Sequence, residues 1–153
     1  MITEKDILDI QKSWGEGILK IVERHQKKEN YILEASSFIE RLYAYNLGEV
    51  LFKPTLAASQ QFRLTKEGAL SYFVGQNLKF PEDSGFALKG WKSIRWENAG
   101  IKIYGDIAIS IGNYYFLQSS GNELKVEFSF VYKLYKSGGL KIILHDSHLP
   151  YSL

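Results

Sequence analysis

The sequence predicts an α+β fold, with helices in the first half and a strongly curved antiparallel sheet in the second. Three observations carry this. Apolar residues keep helical spacing at Ile7, Ile10, Trp14, Ile18 and Ile21, and again at Ile32, Ala35, Phe38, Ile39 and Leu42. From Trp91 onward the pattern becomes one of strands, clearest where Leu124, Val126, Phe128, Phe130, Tyr132 and Leu134 alternate with mainly polar neighbours. Short turns at 119–122 and 137–139 join the later strands as hairpins.

Each element has its own signals. Thr3 caps a first helix reaching about Gln26, and Asp6 completes a capping-box start. Gly15 and Gly17 weaken its middle and allow close approach by another segment. Asn30 caps a second helix to about Tyr45. Residues 47–52 are short and apolar and end at Lys53-Pro54, where Lys53 is extended because a proline follows. Thr65 caps a third helix to Val74, and residues 76–90 are loop. Residues 91–104 hold one or two strands, and Ile107 to Leu117 another. In the latter, Gly112 marks a bulge or a close backbone approach. The last strand runs to the polar end Leu144-His145-Asp146-Ser147-His148. There His145 and Ser147 share one face, and Asp146 and His148 the other.

Composition narrows the function classes. The 153 residues form a single domain, 1–153, large enough for one core, and ten Tyr, nine Phe and three Trp supply bulky packing. With a net charge of +2 and no basic run beyond Lys27-Lys28, nucleic-acid binding is not expected. The absence of cysteine excludes disulfides, thiolate catalysis and cysteine-ligated zinc. No apolar run is long enough to span a membrane and no signal peptide is evident, so a cytoplasmic location is expected.

The chemistry-bearing residues read two ways. An imidazole beside a hydroxyl, as in His145 and Ser147, is a way to move protons, although a lone buried histidine is more often a packing residue. Thr55 follows a rigid proline and presents a hydroxyl at a defined place, or it caps a helix over 56–61. Tyr72 lies in an apolar stretch as a core tyrosine, and Asn113 sits mid-strand beside Gly112. Three histidines, of which His145 and His148 face opposite ways and His25 lies on the first helix, make a poor zinc set. A covalent serine mechanism lacks the tight elbow turn that hydrolases use.

Several segments in order change the weighting: 52–55 (Phe-Lys-Pro-Thr), Phe62-Arg63, 71–75 (Ser-Tyr-Phe-Val-Gly), 83–87 (Asp-Ser-Gly-Phe-Ala), 112–116 (Gly-Asn-Tyr-Tyr-Phe) and 145–150 (His-Asp-Ser-His-Leu-Pro). Together they resemble the iota-class carbonic anhydrases over about residues 14–151. The resemblance implies a nuclear transport factor 2-like cone, with a curved sheet wrapped on a long helix and a pocket at its open end. It also implies reversible hydration of CO2 to bicarbonate. That family ends in a His-His-Ser-Ser motif, which here reads His145-Asp146-Ser147-His148, so two of four positions depart. By strand alternation both departures fall on one face and the retained pair on the other.

The family includes members described as metal-free and others described as metal-dependent. A cysteine-free, histidine-poor chain fits the former, so no metal or other cofactor is expected. The resemblance then implies catalysis by Thr55, Tyr72, His145 and Ser147, with bicarbonate held by Thr55, Tyr72, Ser147 and Asn113. In this reading His145 passes the proton to solvent. Two rivals share the fold: another small-molecule role such as an isomerase, dehydratase or ligand carrier, and a non-catalytic assembly module like the association domain of calcium/calmodulin-dependent kinase II. Sheets of this fold often pair face to face, so a homodimer is expected.

Overall fold

The computed structural model describes residues 1–153. Helix α1 spans Glu4–Gln26. Thr3 accepts from the Asp6 backbone N–H, and the Asp6 carboxylate reaches back to the Thr3 N–H, so the capping box closes. Helix α2 is Tyr31–Leu42, capped by Asn30, and α3 is Lys66–Val74, capped by Thr65. Strands β1 (Leu51–Lys53), β2 (Ser93–Tyr104), β3 (Ile107–Leu117), β4 (Glu123–Tyr135) and β5 (Gly139–His148) form one sheet in the order β1-β5-β4-β3-β2. All neighbours are antiparallel except β1, which lies parallel to β5.

The second helix stops earlier than its periodicity predicts. Tyr43 is extended (φ −107°, ψ 147°) and bridges Ile142, and a single 3-10 turn, Ala44–Asn46, follows. The Lys141 ammonium donates to the Glu40 and Arg41 carbonyls, which satisfies acceptors exposed at that helix end. The break turns the Tyr43 side chain into the core, where it is 1% exposed. No helix forms over 56–61, so Thr55 does not act as a helix cap.

Residues 93–104 make one strand, kinked by a register shift between Asn98 and Gly100. Gly112 sits opposite that kink. A Cβ there would lie 2.1 Å from the Glu97 carbonyl oxygen, so only glycine lets the two backbones approach. Gly17 plays the matching part on α1, where a Cβ would lie 2.3 Å from the Phe38 ring.

The three helices cover one face of the sheet and enclose the core. Trp14 is its hub, with Phe38, Phe73, Tyr114, Phe116 and His145 ring centroids 5.6–6.4 Å away. The segment between β1 and α3 is pinned by a buried ion pair. The Arg63 guanidinium donates bidentately to Asp83 at 2.6 and 2.7 Å, and Asp83 also accepts from the Ser71 hydroxyl. The Glu82 carboxylate accepts the backbone N–H groups of Ala58, Ser59 and Gln60, which holds its pKa below the usual glutamate value. The loop that carries Thr55 is therefore fastened at 58–60 and again at Arg63.

Candidate active site

Strand alternation along β5 turns His145 and Ser147 inward, 2% and 1% exposed. Asp146 and His148 point outward, with side chains 44% and 46% exposed, and His148 Nε2 lies 3.1 Å from the Glu127 carboxylate. Parallel pairing sets Phe52 beside His145. Lys53 Nζ donates to the Ser147 carbonyl at 3.1 Å, and Pro54 then carries the chain inward to Thr55.

A line of hydrogen bonds joins six side chains from five parts of the chain. Trp14 Nε1 donates to the Tyr43 hydroxyl at 2.9 Å. The Tyr43 hydroxyl lies 2.8 Å from His145 Nδ1, and His145 Nε2 lies 3.0 Å from the Tyr114 hydroxyl. Tyr114 Oη is 2.6 Å from Ser147 Oγ, which is 2.8 Å from Thr55 Oγ1. Tyr72 stands beside this line, its hydroxyl accepting from the Leu56 backbone N–H at 3.2 Å.

Burial sets the protonation states. The His145 ring is stacked between Phe52 (4.8 Å, 14°) and Phe130 (4.0 Å, 20°). Desolvation there drives its pKa well below 6.5, so the imidazole is neutral at physiological pH. Desolvation likewise raises the pKa values of Tyr43, Tyr72 and Tyr114, and all three remain phenols.

Thr55 and Tyr72 face a small cavity walled by Trp14, Phe52, Phe73 and Phe86. The volume open to the centre of a water molecule is about 10 Å³, room for about one water. Tyr72 and Phe86, stacked at 5.5 Å, also border a second hollow lined by Leu56, Glu82 and Lys89. Both ring nitrogens of His145 are engaged in hydrogen bonds, and no group of three or more His, Cys, Asp or Glu side chains is placed to hold a metal ion.

Four of the five site residues named from the sequence therefore meet around this cavity: Thr55, Tyr72, His145 and Ser147. Asn113 does not join them. It sits opposite Glu97 and Glu127, one residue before the inward Tyr114, and alternation turns it to the outer face of the sheet. Sequence reasoning passed over Trp14, Tyr43 and Tyr114. Tyr114 carried a usable signal, because it shares a face with Phe116 two residues on. Tyr43 carried none, since its inward turn depends on where α2 breaks.

The family model described as metal-independent carbonic anhydrase matches residues 5–149. The chain belongs to that family. A metal-independent carbonic anhydrase from Nostoc sp. (strain PCC 7120) is 41% identical over 153 residues, covering 98% of this chain and 75% of that protein. The crystal structure of a cyanobacterial iota-carbonic anhydrase complexed with bicarbonate superposes with a TM-score of 0.96 at 41% identity, over 99% of this chain and 94% of the other. The fold extends more widely. A putative calcium/calmodulin-dependent kinase II association domain from Xanthomonas campestris has a TM-score of 0.64 at 16% identity, covering all of this chain and 91% of its own. A putative dehydratase of the NTF2-like family from Streptomyces avermitilis reaches 0.59 at 9% identity, over 97% and 96% of the two chains. The cone expected from the sequence is thus the fold of this metal-independent carbonic anhydrase. Its two departures from the His-His-Ser-Ser motif lie on the outer side of the sheet, away from the hydrogen-bonded line.

Proposed function

We propose that hydration of CO2 takes place in the cavity between Thr55 and Tyr72, with Ser147, Tyr114 and His145 holding those hydroxyls in place. The observation that carries this reading is the run of hydroxyls ending in a small apolar space, with a second hollow across Tyr72 and Phe86. The aromatic walls receive CO2 and keep bulk water out. Water oxygen attacks the carbon, one O–H bond breaks, and the products are bicarbonate and a proton. Negative charge develops on the former CO2 oxygens, where the Thr55 and Tyr72 hydroxyls donate hydrogen bonds to it. Holding water and CO2 in contact supplies the remaining advantage, since the chemistry needs no metal in this account. The proton leaves past Tyr72 and Phe86. His145 orients the hydroxyls rather than carrying that proton, because it is almost fully buried and a second proton on it is disfavoured. Asn113 has no part in this arrangement.

Stopped-flow hydration assays on chelator-treated protein test the reading. Treated wild type is active; Tyr72→Phe loses about 10²- to 10³-fold in rate, the usual effect of removing one such donor, and Ser147→Ala, which releases Thr55, loses activity as well. Activity that appears only with added metal refutes it. The family relationship favours catalysis over a purely structural role, and the retained hydroxyls support it.

The working unit in this proposal is a cytoplasmic homodimer of single-domain chains without cofactor. Support for the dimer comes from the outer face of the sheet. There Leu51, Ile109 and Ile111 are exposed, and the segment after β1 adds exposed Phe62 and Leu64 at its edge. Leu51, Phe62, Leu64 and Leu144 line a groove of about 520 Å³, an apolar surface of the kind that marks an interface.

A further inference from the structure

We infer that Trp14 and Tyr43 are positioning residues that lock the direction of the whole hydrogen-bonded line, so that it donates protons toward the cavity. This rests on the reading of the cavity as the reaction site.

A Trp N–H donates and never accepts, so Tyr43 Oη is the acceptor at 2.9 Å. Tyr43 is 1% exposed, and its hydroxyl has one other partner, His145 Nδ1 at 2.8 Å. If Nδ1 carried a proton, Tyr43 would accept twice and its own O–H would be buried with no acceptor. A buried donor without an acceptor incurs its full desolvation penalty. The Tyr43 O–H therefore donates to Nδ1, which holds a lone pair. A neutral imidazole then carries its proton on Nε2.

The rest follows in sequence. Nε2–H donates to Tyr114 Oη, Tyr114 donates to Ser147 Oγ, and Ser147 donates to Thr55 Oγ1. The Thr55 hydroxyl proton is then directed at the cavity and at the Tyr72 hydroxyl that borders it. Bicarbonate and the charge-developing oxygens of the reacting CO2 are acceptors, so this polarity suits them. The opposite polarity would offer them lone pairs. A tryptophan four hydrogen bonds from Thr55 Oγ1's nearest neighbour thus selects what the cavity presents, and His145 is a donor rather than a base.

Nitrogen-15 NMR of the imidazole, with Tyr43→Phe beside wild type, tests this. In wild type, Nδ1 shows the shift of an unprotonated, hydrogen-bonded nitrogen and Nε2 that of a protonated one, without titrating between about pH 5 and 8. In Tyr43→Phe the Nδ1 shift moves toward an average of tautomers, and kcat falls about tenfold with KM nearly unchanged. A proton on Nδ1, a His145 that titrates in that range, or a Tyr43→Phe protein with unchanged shifts or unchanged kcat overturns the inference. The wild-type spectrum decides the direction of the line even if the variant does not fold. If wild type shows no hydration at all, the assignment of the reaction falls, and the imidazole shifts still decide for or against the lock.

Discussion

At the scale of single residues, the site is governed by what burial does to a neutral imidazole. His145 has a folded pKa well below the 6.5 of the free side chain, because desolvation opposes the cation. The unfolded chain binds that proton more readily, so folding stability rises with pH below about 6.5 and gains nothing more from His145 above it. Denaturant melts over a pH series should show this, with stability falling by at most about 1.4 kcal/mol per pH unit from this residue as the solution is acidified. A slope of opposite sign would mean that His145 is cationic in the fold. The outward neighbours Asp146 and His148 behave differently. His148 lies against Glu127 and Asp146, and both outward side chains face solvent rather than the cavity. The double change Asp146→His with His148→Ser, which restores the full family motif, is expected to leave kcat within about twofold, as for other surface substitutions. A large gain in turnover would show that the outer face reaches the chemistry.

At the scale of elements, the segment from Pro54 to Leu64 decides whether Thr55 meets Ser147. It has no regular structure of its own. Glu82 holds it through three backbone N–H groups, and the Arg63–Asp83 pair ties it to the loop after α3. Both side chains of that pair are buried, at 0% and 2% exposure. Removing one partner leaves an uncompensated buried charge, which typically costs about 3–5 kcal/mol. Asp83→Ala should therefore lower the denaturant midpoint strongly and lose activity even where it remains folded, because the Thr55 loop is released. A fully stable Asp83→Ala protein with normal turnover would show that the clamp plays no part. The helix break at Tyr43 acts at the same scale, since it converts a residue that periodicity assigns to α2 into one that meets Trp14 and His145.

At the scale of the whole molecule, the two faces of the sheet have separate work. The inner face holds the aromatic core and the hydroxyl line. The outer face is apolar across Leu51, Ile109 and Ile111, with charged side chains at its ends. The proposed dimer predicts twice the chain mass by light scattering at micromolar concentration. Ile111→Lys, at a side chain 52% exposed, should yield a monomer with the inner face unchanged. A wild-type monomer would remove the proposal.

Local chemistry in the sequence was enough for the caps at Thr3, Asn30 and Thr65, for the alternation of β4 and for the shared face of His145 and Ser147, because each depends on residues only a few positions apart. The order of elements and those alternations also made the α+β class legible. The partners of His145 were another matter. Tyr43 lies 102 residues away from it, Trp14 meets Tyr43 across 29, and Thr55 meets Ser147 across 92. Periodicity carries no information about contacts at such separations. The parallel pairing of β1 with β5, the breaking of α2 and the fastening of the Thr55 loop are set by packing of the complete chain. Tertiary structure alone therefore decided that a histidine and four hydroxyls would form one directed line, because only a closed core removes the water that would otherwise satisfy each of them separately.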